Sequence, residues 1–336
     1  MADTHIDWQL DALTDPDSWD AGILELEGNP TQLSAFGSLG GWLRRPGYLH
    51  LVRGESRLQW LVYLSRLVPG CWRIEARSEP TTNDPALVEA ALAFLLRELR
   101  PVRFAFYDMV FSRWTDADWL QAHGFTPVEH FGTIELDLTI GIDALRSGMQ
   151  KKQRNRVNLG RRTGLQLEAL HGPDAPARVY ALVQRTLARN AAPAPSLDYV
   201  QRMTEALGPQ ARLFAVTLEG RDVGTSFEIV TPGLALGWLA GTADDAPNGT
   251  SNFMQWSIIE SLADEGIARY DLGGVDPDAP EGSKGARILH SKRKYGGALL
   301  HCYGGTRINR PLAARIDGLA ERGLDGAKSL IRTLRG

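Results

Sequence analysis

The amino-acid sequence predicts a protein of the α/β (α+β) class with two domains. Strand-like and helix-like segments alternate along both halves of the chain, as is typical of this class. The length of 336 residues fits two domains of about 100–200 residues each. Each half also has a long helix followed by a strand that begins near an arginine, at Arg103-Phe104-Ala105-Phe106 and Arg269-Tyr270-Asp271-Leu272. Duplication of one α/β unit would explain this similarity, and so would chance.

The elements of the first half are predicted from apolar periodicity and from helix caps. Asp84 as N-cap and Pro85 in the first turn predict a helix that ends near Leu99. The apolar residues that share one face of this helix are Leu87, Ala91, Leu92, Leu95 and Leu96. The other elements are strands over Tyr48–Arg53 and Leu58–Leu64 joined by the turn Gly54-Glu55-Ser56, a strand over Val102–Tyr107, a short helix from Thr115–Asp118 to Gly124, and a strand over Thr133–Leu138.

The second half continues with a basic helix over about Ile142–Arg162. The elements that follow are a strand over Leu165–Leu170, helices over Pro173–Asn190 and Leu197–Leu207 separated by Ala191–Pro195, strands over Arg212–Leu218, Thr225–Val230 and Leu234–Gly241, a helix over Ser251–Gly266 and a strand over Ala268–Leu272. From Pro311 onward, an amphipathic helical segment is suggested by Leu312, Ile316, Leu319, Leu330, Ile331 and Leu334.

The composition excludes disordered, disulfide-rich and membrane-spanning proteins. Hydrophobic residues make up 43% of the chain, and 37 basic against 40 acidic residues give a net charge of −3. Cys71 and Cys302 are too few for a disulfide framework or a thiolate metal cluster. The acidic N-terminus lacks the pattern of a secretion signal. The longest uncharged stretches, Gly28–Leu43 and Ile229–Ala243, are too short to span a membrane, so we expect a cytoplasmic protein.

Several kinds of catalytic site are also disfavoured. The 7 histidines include no HExxH spacing, and no CxxC is present. No GxGxxG or GxxxxGK[ST] loop is available to bind a nucleotide. Gly224-Thr225-Ser226-Phe227-Glu228 lacks the second glycine of a nucleophile elbow. We therefore expect neither a metal nor a cofactor.

Basic residues are concentrated in two zones of an otherwise nearly neutral chain. Residues 144–167 contain seven basic and no acidic residues, and residues 283–310 contain another seven basic residues without an acid. The first zone consists of Arg146, Lys151, Lys152, Arg154, Arg156, Arg161 and Arg162. Such zones indicate focused anion sites. On a helix, Lys152 and Arg156 share a face and could converge on phosphates, although a solvated basic surface is the alternative.

A glycine pair precedes the second basic zone. Tyr270-Asp271-Leu272-Gly273-Gly274 ends a strand, and a loop rich in Asp, Pro and Gly follows it. Glycines allow the backbone to approach a ligand closely, and α/β folds place their sites beyond strand ends. The alternative is a simple turn in which Asp271 only acts as a cap.

The combined pattern resembles the Fem family of peptidoglycan-bridge aminoacyltransferases. Three blocks carry most of the resemblance: the basic helix that ends in Arg162-x-Gly164, the Tyr270–Gly274 segment, and Lys292-x-x-Tyr295-Gly296. Further similar positions are Gln32 with Phe36-Gly37, and Leu120-Gln-Ala-His-Gly124-Phe125, which resembles the helix-to-Gly-Phe step of acetyltransferase-like domains.

The resemblance implies two tandem acetyltransferase-like (GNAT) domains without a coiled-coil arm. Their expected bounds are 1–140 and 141–310, followed by a C-terminal amphipathic segment over 311–336. It also implies transfer of an amino acid from aminoacyl-tRNA to an amine of a peptidoglycan precursor, either lipid-linked or nucleotide-linked, to build an interpeptide bridge. The implied partners are aminoacyl-tRNA and that precursor. The basic C-terminal segment would also tolerate transient contact with a membrane surface.

The resemblance further implies roles for individual residues. Lys292 would place its ammonium at the tetrahedral oxygen, and no dedicated general base is evident, so protons would move through the substrate's own groups. The residues implied in substrate binding are Arg44, Asp108, Lys152, Arg154, Arg156, Arg162, Asp271, Gly273, Gly274 and Tyr295. The chain departs from the family pattern at Gly40, Pro195, Leu239 and Ser291, which leaves the identity of the acceptor open.

Two alternative functions remain at this point. An acyl-CoA-dependent N-acyltransferase would need a pyrophosphate loop of the form [QR]-x-x-G-x-[GA] between a strand and a helix. Arg161–Gln166 has the best position but does not match the pattern at its last residue. Arg293–Ala298 matches the pattern but leads into a strand-like segment. Arg315–Ala320 also matches, but it lies within the closing helical segment. The second alternative is a non-catalytic module that binds tRNA or a phosphosugar.

Overall fold

The computed structural model describes residues 4–38, 44–107 and 109–321. In these ranges the strands are β1 His5–Leu10, β2 Arg45–Arg53, β3 Ser56–Arg66, β4 Trp72–Ala76, β5 Thr81–Thr82, β6 Arg103–Tyr107, β7 Thr126–Asp137, β8 Gln166–Leu170, β9 Ala211–Leu218, β10 Arg221–Val230, β11 Ala235–Thr242, β12 Arg269–Val275 and β13 Ala298–Ile308. The helices are α1 Pro16–Glu25, α2 Ser34–Ser38, α3 Ala86–Leu99, α4 Ala117–Ala122, α5 Ile142–Gly148, α6 Lys151–Thr163, α7 Ala175–Arg189, α8 Leu197–Leu207, α9 Thr250–Asp264 and α10 Lys284–Arg293. Residues 311–321 are also helical.

The chain divides into two compact units. Unit 1 contains the described residues up to Leu26, then Thr31–His130, and those from Cys302 onward. Unit 2 contains Glu27–Pro30 and Phe131–His301. This mixed α/β content in both units confirms the predicted fold class.

Unit 1 is built on a sheet with the strand order β1-β2-β3-β4-β6-β13, and β5 pairs with β3. Neighbouring strands are antiparallel except β4 and β6, which are parallel. Helix α3 buries its leucine-rich face in a core that includes Trp60, Phe104 and Phe106. Phe104 and Phe106 lie two residues apart, so both rings are on one face of β6, with centroids 5.4 Å apart. The Gly-Phe step ends α4 because Gly124 adopts φ +78° and the Phe125 N–H donates to Leu120 O at 2.9 Å.

Polar side chains hold the last described helix to unit 1. Arg73 forms ion pairs with Asp317 and, at 2.9 Å, with Glu321, and Asp317 is buried. The apolar residues Leu312, Ile316 and Leu319 of this helix are 76%, 57% and 62% exposed. The predicted positions Leu330, Ile331 and Leu334 lie outside the described residues.

Unit 2 is built on a sheet with the strand order β7-β12-β11-β10-β9-β8. All neighbours are antiparallel except β11 and β12, which are parallel. Helix α9 supplies Trp256, Ile258 and Ile259 to the core of this unit. Helix α7 packs so closely on β11 that a Cβ atom on Gly241 would lie 2.3 Å from the Leu182 carbonyl carbon.

Each unit contains the same β-α-β connection between parallel strands. In unit 1 the chain runs from β4 through the two-residue strand β5 and α3 to β6, and in unit 2 it runs from β11 through α9 to β12. The two similar sequences at Arg103 and Arg269 begin the second strand of each connection.

The basic helix predicted over Ile142–Arg162 is two helices rather than one. Helix α5 ends at Gly148, Met149 is extended with ψ 139°, and α6 begins at Lys151. Met149 is buried, so its side chain leaves the helical path to enter the core. In the described part of the chain, no helix combines the length and apolar character needed to cross a membrane.

Candidate functional site

A cleft opens in unit 2 where the parallel strands β11 and β12 separate. The two strands pair only at Ala235 with Tyr270 and Leu236 with Asp271. Beyond these pairs the chains diverge, and the cleft between them has a volume of about 330 Å³. It is lined by Ser226, Glu228, Gly237, Trp238, Leu239, Ala240, Gln255, Tyr270, Leu272, Gly273, Gly274 and Lys292. The predicted Lys292, Gly273 and Gly274 therefore lie together at one cleft.

The Asp-Leu-Gly-Gly segment forms a bulge in the pairing of β12 with β7. Asp271 pairs with Glu135 and Gly274 with Thr133, so the register shifts between them. Gly273 adopts φ +84°, a conformation that favours glycine. Asp271 fixes the bulge because its Oδ1 accepts hydrogen bonds from the Gly273 N–H, at 2.6 Å, and from the Thr133 hydroxyl. Asp271 is buried, and its hydrogen bonds hold the backbone of the glycine pair in place. Burial raises the pKa of its carboxyl.

Lys292 reaches this bulge from the last turn of α10. Ser283 caps the start of that helix by accepting a hydrogen bond from the Ala286 N–H. The Lys292 Nζ donates to Gly274 O at 3.1 Å and would be 3.3 Å from a Cβ atom on Gly273. Burial lowers the pKa of Lys292 to about 8, and the Asp271 carboxylate partly opposes this. The ammonium form of Lys292 therefore predominates at neutral pH, and the neutral amine form becomes the main one above about pH 8.

The residues after Lys292 anchor the end of α10. The Tyr295 ring is buried and its hydroxyl faces Asn252 and Gln153. Gly296 adopts φ +88°, and a Cβ atom there would lie 2.9 Å from Gly148 O. The Lys-x-x-Tyr-Gly spacing thus directs the lysine into the cleft while the tyrosine and glycine are held by the protein. In this geometry Tyr295 supports the site from within the core.

The cleft also contains a network of polar side chains that the sequence did not predict. Ser226 Oγ donates to Glu228 Oε1 at 2.5 Å, and Tyr270 Oη donates to Glu228 Oε2 at 3.0 Å. Gln255 Nε2 in turn donates to Tyr270 Oη at 2.7 Å. Burial raises the pKa of Glu228 to about 7. In the sequence, Ser226 and Glu228 stood only in the rejected nucleophile-elbow segment.

A second, basic cleft of about 320 Å³ lies at the N-terminus of α9. Arg156 and Arg189 line it together with residues 242–244 and 246–252. Gly249, at φ +94°, brings the helix start close to α6, since a Cβ atom there would lie 2.7 Å from Arg156 O. Backbone N–H groups at a helix start favour anions. However, Asp244 already forms an ion pair with Arg189 and Asp245 forms one with Arg221 at 2.9 Å.

The other predicted binding residues have different surroundings. Lys152, Arg156 and Arg162 are exposed on α6. Arg154 Nη1 donates to the carbonyls of Arg146 at 3.3 Å, Ser147 at 3.2 Å and Met149, so it caps the C-terminus of α5. Arg44 belongs to unit 1 and pairs with Glu75 at 3.2 Å. Asp108 and Gly40 lie outside the described residues.

Two other positions of the family pattern can be located. Leu239 lines the cleft next to Trp238, so an aromatic side chain is present one residue earlier than the pattern has it. Gln32 is a buried structural residue of unit 1: its Nε2 donates to Ser78 Oγ at 2.6 Å and its Oε1 accepts from the Leu61 N–H at 2.6 Å. Among the described residues, no group of three or more His, Cys, Asp or Glu side chains could hold a metal ion.

Comparison with known families identifies the kind of domain in unit 2. Residues 146–281 match the family model for an acetyltransferase (GNAT) domain. These residues include β11, β12 and the bulge at the cleft. The protein therefore carries an acyltransferase domain, which confirms the predicted enzyme class. The search of curated proteins found no match to this chain.

Solved structures show that the fold extends over most of the chain. FemX has a TM-score of 0.74 at 15% sequence identity, with 92% of this chain and 100% of that chain covered. L-PGS from Bacillus licheniformis has a TM-score of 0.60 at 15% identity and covers 91% of this chain and 96% of its own. A tandem GNAT protein from the clavulanic acid biosynthesis pathway has a TM-score of 0.50 at 12% identity, with 91% and 99% covered. These likenesses concern the fold, and they confirm the tandem GNAT-like architecture that the sequence resemblance implied.

Proposed function

We propose that this chain, which has the tandem GNAT fold found in FemX, transfers an amino acid from aminoacyl-tRNA to an amine of a peptidoglycan precursor. The observation that carries the proposal is the position of Lys292. Its ammonium lines the cleft between the separated strands of the GNAT domain, 3.1 Å from Gly274 O. The three sequence blocks that resemble the Fem aminoacyltransferases all lie in this unit, and two of them, Tyr270–Gly274 and Lys292–Gly296, build the cleft.

The chemistry needs little beyond orientation and charge. An aminoacyl ester is already activated, so the enzyme must hold an amine against its carbonyl carbon and stabilise the oxyanion that forms. Lys292 has the charge for this task at neutral pH, and its half-buried position strengthens the interaction relative to water. The bulge supplies a wall without side chains at Gly273 and Gly274, which lets a flat ester approach the ammonium.

Phosphates of the tRNA acceptor end or of the precursor would bind on the basic face of α6. Arg156 borders the basic cleft at the start of α9, and it forms no ion pair with any residue that the structure describes. Lys152 lies one helical turn before it and is exposed. We assign Lys152, Arg156 and Arg162 to this role, and binding should weaken steeply with salt because phosphate contacts release counterions.

An acyl-CoA-dependent transferase is the second candidate, favoured by the match to an acetyltransferase domain. In this fold a pyrophosphate would be expected at the start of α9, where the basic cleft lies. The connection that leads into α9 is Ala243-Asp244-Asp245-Ala246-Pro247-Asn248-Gly249, which has two acids and no Gln or Arg. Arg189, the other arginine of the cleft, is paired with Asp244. These charges disfavour a coenzyme A pyrophosphate at the start of α9, whereas the phosphates of an aminoacyl donor are assigned to the exposed basic face of α6.

A mass-shift assay distinguishes these functions. Purified protein is incubated with a peptidoglycan precursor and either charged total tRNA or acetyl-CoA, and the precursor is weighed by mass spectrometry. We expect an added aminoacyl mass that requires charged tRNA and disappears in Lys292→Ala. An added acetyl mass would establish the second candidate, and tRNA binding without either product would indicate a non-catalytic binding module.

A further inference from the structure

A second ionisable group, Glu228, shares the cleft with Lys292. It lies on β10 and lines the cleft from beneath, with only 1% of the residue exposed. Ser226 and Glu228 are two residues apart on one strand, so their side chains lie on the same face of the sheet. This explains the 2.5 Å hydrogen bond from the serine hydroxyl to Oε1.

A glycine on the intervening strand allows the second hydrogen bond. Tyr270 lies on β12, and β11 separates it from β10. Gly237 on β11 pairs with Glu228, and a Cβ atom at Gly237 would lie 3.3 Å from Glu228 Oε2 and 3.6 Å from Tyr270 Oη. Because this position has no side chain, the tyrosine hydroxyl reaches across β11 to the carboxyl.

The direction of each hydrogen bond suits a negatively charged carboxylate. Gln255 Nε2 is an amide donor to Tyr270 Oη, so the proton of the tyrosine points to Glu228. Burial raises the pKa of Tyr270 well above 10, which keeps that proton in place. Both oxygens of Glu228 therefore accept hydrogen bonds from hydroxyls, an arrangement that stabilises the ionised form.

What the carboxylate lacks is a cation. Its pKa is set by burial and by the hydrogen bonds from Ser226 and Tyr270, and no cationic side chain of the described residues contributes to it. A buried charge without a partner destabilises the protein. A substrate ammonium that enters the cleft would supply the missing charge. Perturbed buried groups of this kind are concentrated at functional sites.

We propose that Glu228 accepts the proton of the incoming acceptor amine, in the cleft where Lys292 stabilises the oxyanion. This inference rests on the proposed aminoacyl transfer. It assigns the general base that the sequence did not reveal, with Ser226 and Tyr270 as positioning residues.

The proposed transfer conserves protons and electrons. The acceptor arrives as R–NH₃⁺ and gives one proton to the Glu228 carboxylate, which leaves a lone pair on the nitrogen. That pair forms the C–N bond to the ester carbonyl carbon, and the carbonyl electrons move to the oxygen near Lys292. When the C=O bond re-forms, the ester C–O bond breaks. The leaving ribose oxygen takes the second proton from nitrogen, and Glu228 later releases its proton to water.

The pH dependence follows from the groups around the cleft. These are Glu228 on β10, Tyr270 on β12 and Lys292 on α10, with Tyr295 next to Tyr270 and the Asp271 carboxyl next to Lys292. Transfer should rise as Glu228 ionises near pH 7 and fall above about pH 8 as Lys292 loses its ammonium form. Both tyrosines stay protonated throughout this range, because burial raises the pKa of each.

The test compares the wild type with Glu228→Gln and Ser226→Ala, using charged tRNA and the precursor from pH 5.5 to 9. Glu228→Gln should lower kcat about 10²–10⁴-fold, with tRNA affinity unchanged and a melting temperature at pH 8 equal to or above that of the wild type. Its residual rate should rise with pH up to about pH 8, because only free amine from solution then reacts, and should level off above pH 8 as Lys292 loses its ammonium form. Ser226→Ala should move the acidic limb to higher pH, because it removes a hydrogen bond that lowers the pKa of Glu228.

The possible results separate the inference from the proposed function. Wild-type transfer with an equally fast Glu228→Gln, or with a defect confined to the KM for charged tRNA, overturns the inference alone. The inference is also overturned if the acidic limb of the pH profile of transfer does not move in Ser226→Ala. Any loss of rate in Glu228→Gln would then be a structural effect. A wild type that transfers no amino acid from any charged tRNA overturns the proposed function and this inference with it.

Discussion

Replacing Lys292 by methionine should raise the stability of the protein at neutral pH while it removes transfer activity. Burial lowers the pKa of Lys292 from 10.5 to about 8. At 1.36 kcal/mol per pH unit, this difference corresponds to about 3 kcal/mol of folding free energy lost while the lysine is charged. The variant also loses the 3.1 Å hydrogen bond from Lys292 Nζ to Gly274 O, and this loss reduces the gain in stability by about 1 kcal/mol. With some screening by solvent, the expected net gain is about 1–2 kcal/mol.

The gain should depend on pH with a defined sign. Because the folded-state pKa of Lys292 is lowered, the unfolded chain binds more protons between pH 8 and 10.5. The wild type therefore becomes more stable with rising pH in this window, and the methionine variant lacks that increase. The advantage of Lys292→Met should be complete below pH 8 and should disappear toward pH 10.5.

Urea unfolding at pH 7 and at pH 9.5 measures this effect, together with the transfer rate at pH 7. We expect a rate reduced about 10²–10³-fold, the typical loss for one oxyanion donor. Lys152→Met is the matched control, since Lys152 is exposed on α6 and should change stability by less than about 0.5 kcal/mol. A Lys292→Met variant that is less stable than the wild type at pH 7, or whose difference does not change with pH, would refute the reasoning.

Three further predictions follow from the geometry. Gly273→Ala should lower the free energy of unfolding by about 1–2 kcal/mol, because φ at this position is +84°, and the added methyl group should slow transfer by crowding Lys292. Gly274→Ala is the control, because a Cβ atom there would meet only the Phe131 ring, at 3.4 Å. Equal effects of the two substitutions on the melting temperature would contradict the prediction. Arg156→Ala should reduce the slope of log affinity for tRNA against log salt concentration by about 1, as measured by filter binding. Arg154→Ala should mainly lower the melting temperature, because Arg154 caps α5. A reduced salt slope in Arg154→Ala with an unchanged slope in Arg156→Ala would contradict this assignment. Tyr295→Phe should cost about 1 kcal/mol in urea unfolding through loss of a buried hydroxyl contact, and an unchanged midpoint would argue against that contact.

The fold could be predicted from the sequence wherever the signal is local. The cap at Asp84 and the leucine face predict α3, and the structure places that helix at Ala86–Leu99. The similar segments at Arg103 and Arg269, which duplication or chance would explain, each begin a strand that is parallel to an earlier strand of the same unit, β4 or β11. The break at Met149 could not be predicted, because it depends on burial of that side chain in a core assembled from distant segments.

The candidate site was predictable only in part, for the same reason. Gly273, Gly274 and Lys292 belong to short motifs, and the structure brings them to one cleft. Glu228 has no motif of its own, since its partner Tyr270 is 42 residues away in the sequence. A carboxylate in a strand is recognisable as a functional group only when its neighbours across the sheet are known.

In the proposed function, Lys292 promotes aminoacyl transfer from tRNA in the cleft of unit 2. The most direct test is a single-turnover reaction of saturating charged tRNA and precursor with the wild type and with Lys292→Ala, combined with the tRNA affinity of both proteins. We predict an aminoacylated precursor with the wild type, and for Lys292→Ala a rate about 10²–10³-fold lower at nearly equal tRNA affinity. Equal rates in the two proteins, or a product formed from acetyl-CoA and not from charged tRNA, would contradict the account.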